Sequence, residues 1–172
     1  RCTPYGQECA RHLAEAVVGT GRVVVSGGAS GIDTAAHRGA LLPGGHTVLF
    51  AAGGAGTMYP ENNHEVYRQA QAHGAVVWEF PPRARLSRQS FLHRNRLIAA
   101  TAGVTVVVEA AVRSGALNTG RTAADLGRLV VGVPGRVDSP ASAGVLRAIA
   151  DGWAAVLLGA ADLVEMLDGA AI

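Results

Sequence analysis

The sequence predicts an α/β fold, a doubly wound and mostly parallel sheet with helices on both faces. Three observations carry this. Short apolar runs rich in β-branched residues alternate with longer stretches at helical spacing. The runs are continuous instead of alternating, as strands buried on both faces of a parallel sheet require. Glycine-rich turns follow the runs, at the carboxyl ends of the strands where such folds receive their ligands. With 172 residues, 49% of them apolar, the chain is long enough for a sizeable core and is expected to form a single domain over residues 1–172.

Residues 23–26, 47–50, 75–78, 104–109 and 129–133 read as strands. Helical spacing runs through 7–18, 33–41, 62–73, 91–101 and 119–127, with two further helices at 143–151 and 160–167. No run is long enough to span a bilayer and no signal peptide is visible, so the expected location is cytoplasmic. Cys2 and Cys9 are seven apart, which is no metal spacing, and the six histidines are scattered. No metal or cofactor is expected.

Net charge is only +2, but its distribution is uneven. All fifteen basic residues are arginine. No acid lies between Glu79 and Glu109, a window that holds Arg83, Arg85, Arg88, Arg94 and Arg96. After residue 128, Arg136 and Arg147 face five acids. The window is a local basic patch, or a solvated arginine-rich loop.

The loops after the strands hold the candidate chemistry. After the first strand, Ser26-Gly27-Gly28-Ala29-Ser30-Gly31-Ile32-Asp33 can hold a phosphate on free helix amides, or can be a tight turn capped by Asp33. After the second come Gly53-Gly54-Ala55-Gly56-Thr57 and Tyr59-Pro60-Glu61-Asn62, with Asn62 as a helix cap. After the third, Arg88 and Phe91 share a helix face if the helix begins that early. Arginine beside an exposed aromatic suits a phosphate backbone with a stacked base, while a lone Phe91 also suits a core. Arg94 and Arg96 point in different directions. After the fourth, Ser114, Asn118 or Thr119 caps a helix, and Glu109 is expected to pair with an arginine. His37, on a helix after two alanines, reads as a packed residue. No nucleophile elbow, lysine-bearing phosphate loop or zinc-protease motif is present, so no catalytic residue is assigned.

At these residues the chain resembles the DprA/Smf family of DNA-processing proteins. The resemblance lies in Val25 through Leu41, Tyr59-Pro60, Glu79-Phe80-Pro81-Pro82, Phe91 through Arg96, Val107 through Ala110, Arg113 through Thr119 and Val133-Pro134-Gly135. It implies an extended Rossmann-like core that binds single-stranded DNA in a cationic pocket and is not an enzyme. It further implies protection of incoming strands in natural transformation, loading of the RecA recombinase, and a homodimer. By position the DNA-binding residues are Ser26, Gly27, Arg94, Asn95, Arg96, Ser114, Gly115 and Arg121. Phe91 meets a base, with Arg88 as its cationic neighbour.

Ser30 stands where many members carry arginine, and Gly120 where many carry alanine. A family strand ending in Gly-Ser-Arg ahead of Thr3-Pro4-Tyr5-Gly6 is expected to be missing before residue 1, as are flanking helical and winged-helix domains. Reduced DNA affinity is the expected consequence. The alternative is a nucleotide-binding or nucleoside-monophosphate phosphoribohydrolase-like protein. Its P-G-G-x-G-T-x-x-E motif is approached by Gly53–Thr57, but the first acid here is Glu61, one residue late and beyond Pro60.

Overall fold

The computed structural model describes residues 2–170. The elements run α1 Pro4–Gly19, β1 Val24–Ser26, α2 Ile32–Ala40, β2 Thr47–Gly54, α3 His64–Ala72, β3 Gly74–Phe80, α4 Arg88–Thr101, β4 Val104–Val107, α5 Gly115–Asp125, β5 Leu129–Gly132, α6 Ala143–Ala150, β6 Ala155–Val156 and α7 Ala160–Gly169. A 3-10 turn, Glu61–Asn63, leads into α3. All strand pairs are parallel and form two three-stranded sheets, ordered β1-β2-β3 and β4-β5-β6. The expected α/β architecture is borne out.

Helices cover both faces because the strands are apolar on both. In β5, Val130 packs into a cluster with Ala99 of α4, Ala123 of α5 and Val145 and Ala148 of α6. Its neighbour Val131 points the other way, towards Ala10 and Leu13 of α1, Ala35 and Ala36 of α2 and Leu163 of α7. A third cluster joins Leu49 and Ala51 of β2, Val76 and Trp78 of β3 and Val66, Tyr67 and Ala70 of α3.

Several expected boundaries move. Helix α4 begins at Arg88, three residues before the expected start. Ser87 caps it, accepting from the Ser90 amide, while Ser90 Oγ accepts from the Ser87 amide. Helix α5 begins at Gly115, with Ser114 as its cap. Asp33 is not the cap of α2; Gly31, at φ 97°, holds that position. Asn62 does not cap α3 either. Asn63 leads in instead, and its buried amide donates to Gly28 O (2.9 Å) and Thr34 Oγ1 (2.7 Å), locking the turn onto the first loop. Strand β6 was not expected from the sequence.

Candidate nucleic-acid interface

The loops that follow β1, β2, β3 and β4 meet at the carboxyl edge of the strands. Two buried side chains of α4 join the loop after β1, strand β2 and the start of α5. Arg94 is 4% exposed, and its Nη1 donates to the carbonyls of Gly27, after β1, and Phe50, in β2. Its Nε donates to Asn95 Oδ1 (3.3 Å). Asn95, also buried, donates from Nδ2 to Gly115 O (3.3 Å) and Asn118 Oδ1 (3.4 Å) at the start of α5. Burial pushes the Arg94 guanidinium below its usual value, and the Asp33 carboxylate opposes that shift.

Asp33 closes the first loop from the other side. Its Oδ2 accepts from the amides of Gly27 (3.2 Å) and Ala29 (3.1 Å). Both polar groups of the Gly27 peptide are therefore engaged, the N–H by Asp33 and the carbonyl by Arg94. A Cβ at Gly27 would fall on the Arg94 guanidinium, so this close approach needs glycine. The carboxylate sits where a ligand phosphate would otherwise meet those amides.

Three of the residues expected to touch DNA are buried in the chain on its own. Gly27, Arg94 and Asn95 lie behind the surface, with their polar groups turned onto the protein. Ser26, which ends β1, is half-buried beside them. The expected pairing of Glu109 is corrected. It has no arginine partner among the described residues. Instead its Oε2 accepts from the Thr3 amide (2.8 Å) and its Oε1 from the Thr3 hydroxyl, which ties the start of α1 to the end of β4. Glu109 lines a cleft of about 620 Å³ with Thr3, Tyr5, Pro134, Ser139 and Ser142.

The exposed members divide into two groups. Arg88 is the first residue of α4, one turn before Phe91. Arg83, Arg85 and Arg88 are all exposed, and no carboxylate pairs with them among the described residues. The turn carrying Arg83 and Arg85 backs directly onto β2, where a Cβ at Gly54 would strike the Pro81 carbonyl. Arg96 is exposed but paired with Glu79 at the end of β3. At the other side, Ser114 and Gly115 form the first turn of α5. Arg121 lies nearly two turns on, paired with Asp125 (3.2 Å) and with its guanidinium carbon 5.9 Å from the Trp153 ring centroid.

One neighbour was not foreseen as a site residue. The ring of Tyr59 lies 5.6 Å from that of Phe91, with the planes at 67°. The two are 32 positions apart in the chain, so only the fold brings them together. The available signal was an aromatic residue beyond the end of β2, on the ligand edge of the sheet.

The profile of the family described as DNA recombination-mediator protein A matches residues 1–168. The chain is 46% identical over 165 residues to the putative DNA processing protein DprA of Mycobacterium tuberculosis, covering 96% of this chain and 42% of that protein. The chain therefore spans less than half the length of that relative. Among solved structures, DNA processing protein A of Streptococcus pneumoniae superposes with a TM-score of 0.86 at 32% identity, over 95% of this chain and 57% of that one. DNA processing protein A of Helicobacter pylori, a protein with a described single-stranded DNA binding mode, superposes at 0.89 with 28% identity, over 98% and 76%. With its Rossmann-like core and its match across almost every described residue, this chain belongs to the DNA recombination-mediator protein A family, the DprA/Smf DNA-processing proteins.

Proposed function

We propose that this chain is the single-stranded-DNA-binding core of a DNA-processing protein and that it works by binding, without catalysis. The observation that carries the reading is the run of exposed arginines, Arg83, Arg85 and Arg88, which have no carboxylate partner among the described residues and lead into α4 one turn before Phe91. Arginines grip phosphates without regard to sequence, and an aromatic ring stacks any base. The single-strand binding described for the Helicobacter pylori relative supports the same reading. Contacts are assigned to Arg88, Phe91 and Arg96, joined by Arg83 and Arg85, with Ser26, Ser114, Gly115 and Arg121 as the polar wall. Gly27, Arg94 and Asn95 hold that wall in place.

The resemblance adds a RecA-type recombinase and a second copy of the chain as partners, and strand protection and recombinase loading during transformation as the roles. Among the described residues no helix is long and apolar enough to cross a membrane, and no cluster of metal-binding side chains occurs.

Fluorescence anisotropy of a labelled oligo-dT over a salt series tests the reading. With three to five phosphates neutralised, log affinity should fall against log salt with a slope of roughly −2 to −4. Duplex DNA and AMP should compete poorly. Binding without salt dependence, or displacement by AMP, sinks the proposal and favours a nucleotide site.

Phe91→Ala should weaken oligo-dT binding by roughly 1–3 kcal/mol. Unchanged affinity in a folded variant would reduce Phe91 to a packing role.

A further inference from the structure

We propose that Tyr59 is a second base-stacking residue, so that a nucleobase is held at a corner formed by Tyr59 and Phe91 instead of on Phe91 alone. The inference rests on the single-strand reading above.

Phe91 is half-buried, and its ring is already engaged from two directions. The guanidinium carbon of Arg94 lies 5.9 Å from its centroid, and the Tyr59 ring meets it in an edge-to-face arrangement. Tyr59 is 49% exposed, so it is the ring with more surface to offer. It is also held in place. Its carbonyl accepts from the hydroxyl of Tyr67 (3.0 Å), a side chain anchored in the core of α3. With its backbone tied in this way and its ring packed against Phe91, Tyr59 gives up little entropy when a base stacks on it.

Two planes at 67° cannot sandwich one base. A base lying flat on one ring presents its edge to the other, and the corner therefore selects an unpaired base over one inside a duplex. Arg88 lies one helical turn from Phe91, within the same basic stretch that would hold the flanking phosphates.

Stacking and simple packing against Phe91 make different predictions when the base is removed. The measurement is anisotropy with labelled oligo-dT and with a strand of equal length carrying abasic sites, on the wild-type chain, Tyr59→Ala and Tyr59→Phe. Tyr59→Ala should weaken oligo-dT binding roughly 10-fold and abasic binding less than about 2-fold, and Tyr59→Phe should bind as the wild type. If Tyr59→Ala lowers the melting temperature, Tyr59→Leu makes the same comparison with an apolar side chain kept against Phe91. Unchanged oligo-dT affinity, or an equal loss on both strands, overturns the role of Tyr59 while leaving strand binding intact. Absence of strand binding by the wild type overturns both readings together.

Discussion

Arg94→Ala should lower the stability of the fold by about 4 kcal/mol and weaken strand binding equally for every base sequence. The side chain is 4% exposed and its guanidinium is divided among Gly27 O, Phe50 O and Asn95 Oδ1. Removing it takes away the donor that serves two buried backbone carbonyls, a loss of about 1–3 kcal/mol each, and opens a void. It also leaves Asp33 without the cation that offsets its charge. The β1–α2 loop loses its tie to α4, and the polar wall loses its geometry. Arg94→Lys keeps the charge but replaces a planar fork with a point donor, so it should recover only part of the loss. Urea denaturation midpoints, read beside the anisotropy slope, decide the matter. If Arg94→Ala keeps wild-type stability but flattens the salt slope by about one phosphate contact, Arg94 reaches the DNA backbone after all.

The same residue marks how far the sequence could be read. The strands were legible where both faces are buried, because a continuous run such as Val104–Val107 has no other economical place in a chain of this kind. β6 was not legible. It has two residues, both exposed, and gains its place only by pairing with β5. The start of α4 was misplaced because arginine and serine before Phe91 read as a loop until the Ser87–Ser90 capping box is considered. The positions of the candidate loops followed from the rule that ligands meet parallel sheets at their carboxyl ends. Which arginine reaches solvent did not follow. Periodicity treats Arg94 as a surface residue, whereas its burial is decided by carbonyls 67 and 44 positions away. Asp33 is similar: a cap by local pattern, it instead occupies the loop amides that a phosphate would need. Charge counting finds the basic stretch, and only packing separates the supporting cations from the exposed ones.

Acid should destabilise the chain through His37 in a window above the carboxylate range. His37 is fully buried, and its Nδ1 lies 2.7 Å from Thr47 Oγ1. The Thr47 hydroxyl donates its own proton to Val24 O (2.8 Å), so Oγ1 must accept from His37. That places the imidazole proton on Nδ1 and leaves Nε2 as a lone pair with no partner among the described residues. A second proton on Nε2 would be a buried charge without an acceptor. Burial accordingly pushes the pKa down to about 4, with the Arg94 charge adding to the shift and Asp33 opposing it. The unfolded chain takes up this proton near pH 6.5, and the folded chain not until about pH 4. Stability is therefore full above pH 6.5 and declines as pH falls towards 4, by about 3 kcal/mol from this one group. Urea denaturation from pH 7 to 4.5 should show that decline, and His37→Asn, which does not titrate, should remove most of it. An equally steep acid limb in the variant would assign the loss to carboxylates instead. Because Thr47 and His37 join β2 to α2, the helix that follows the loop clamped by Arg94 and Asp33, the same acid window should loosen the candidate interface before the rest of the fold.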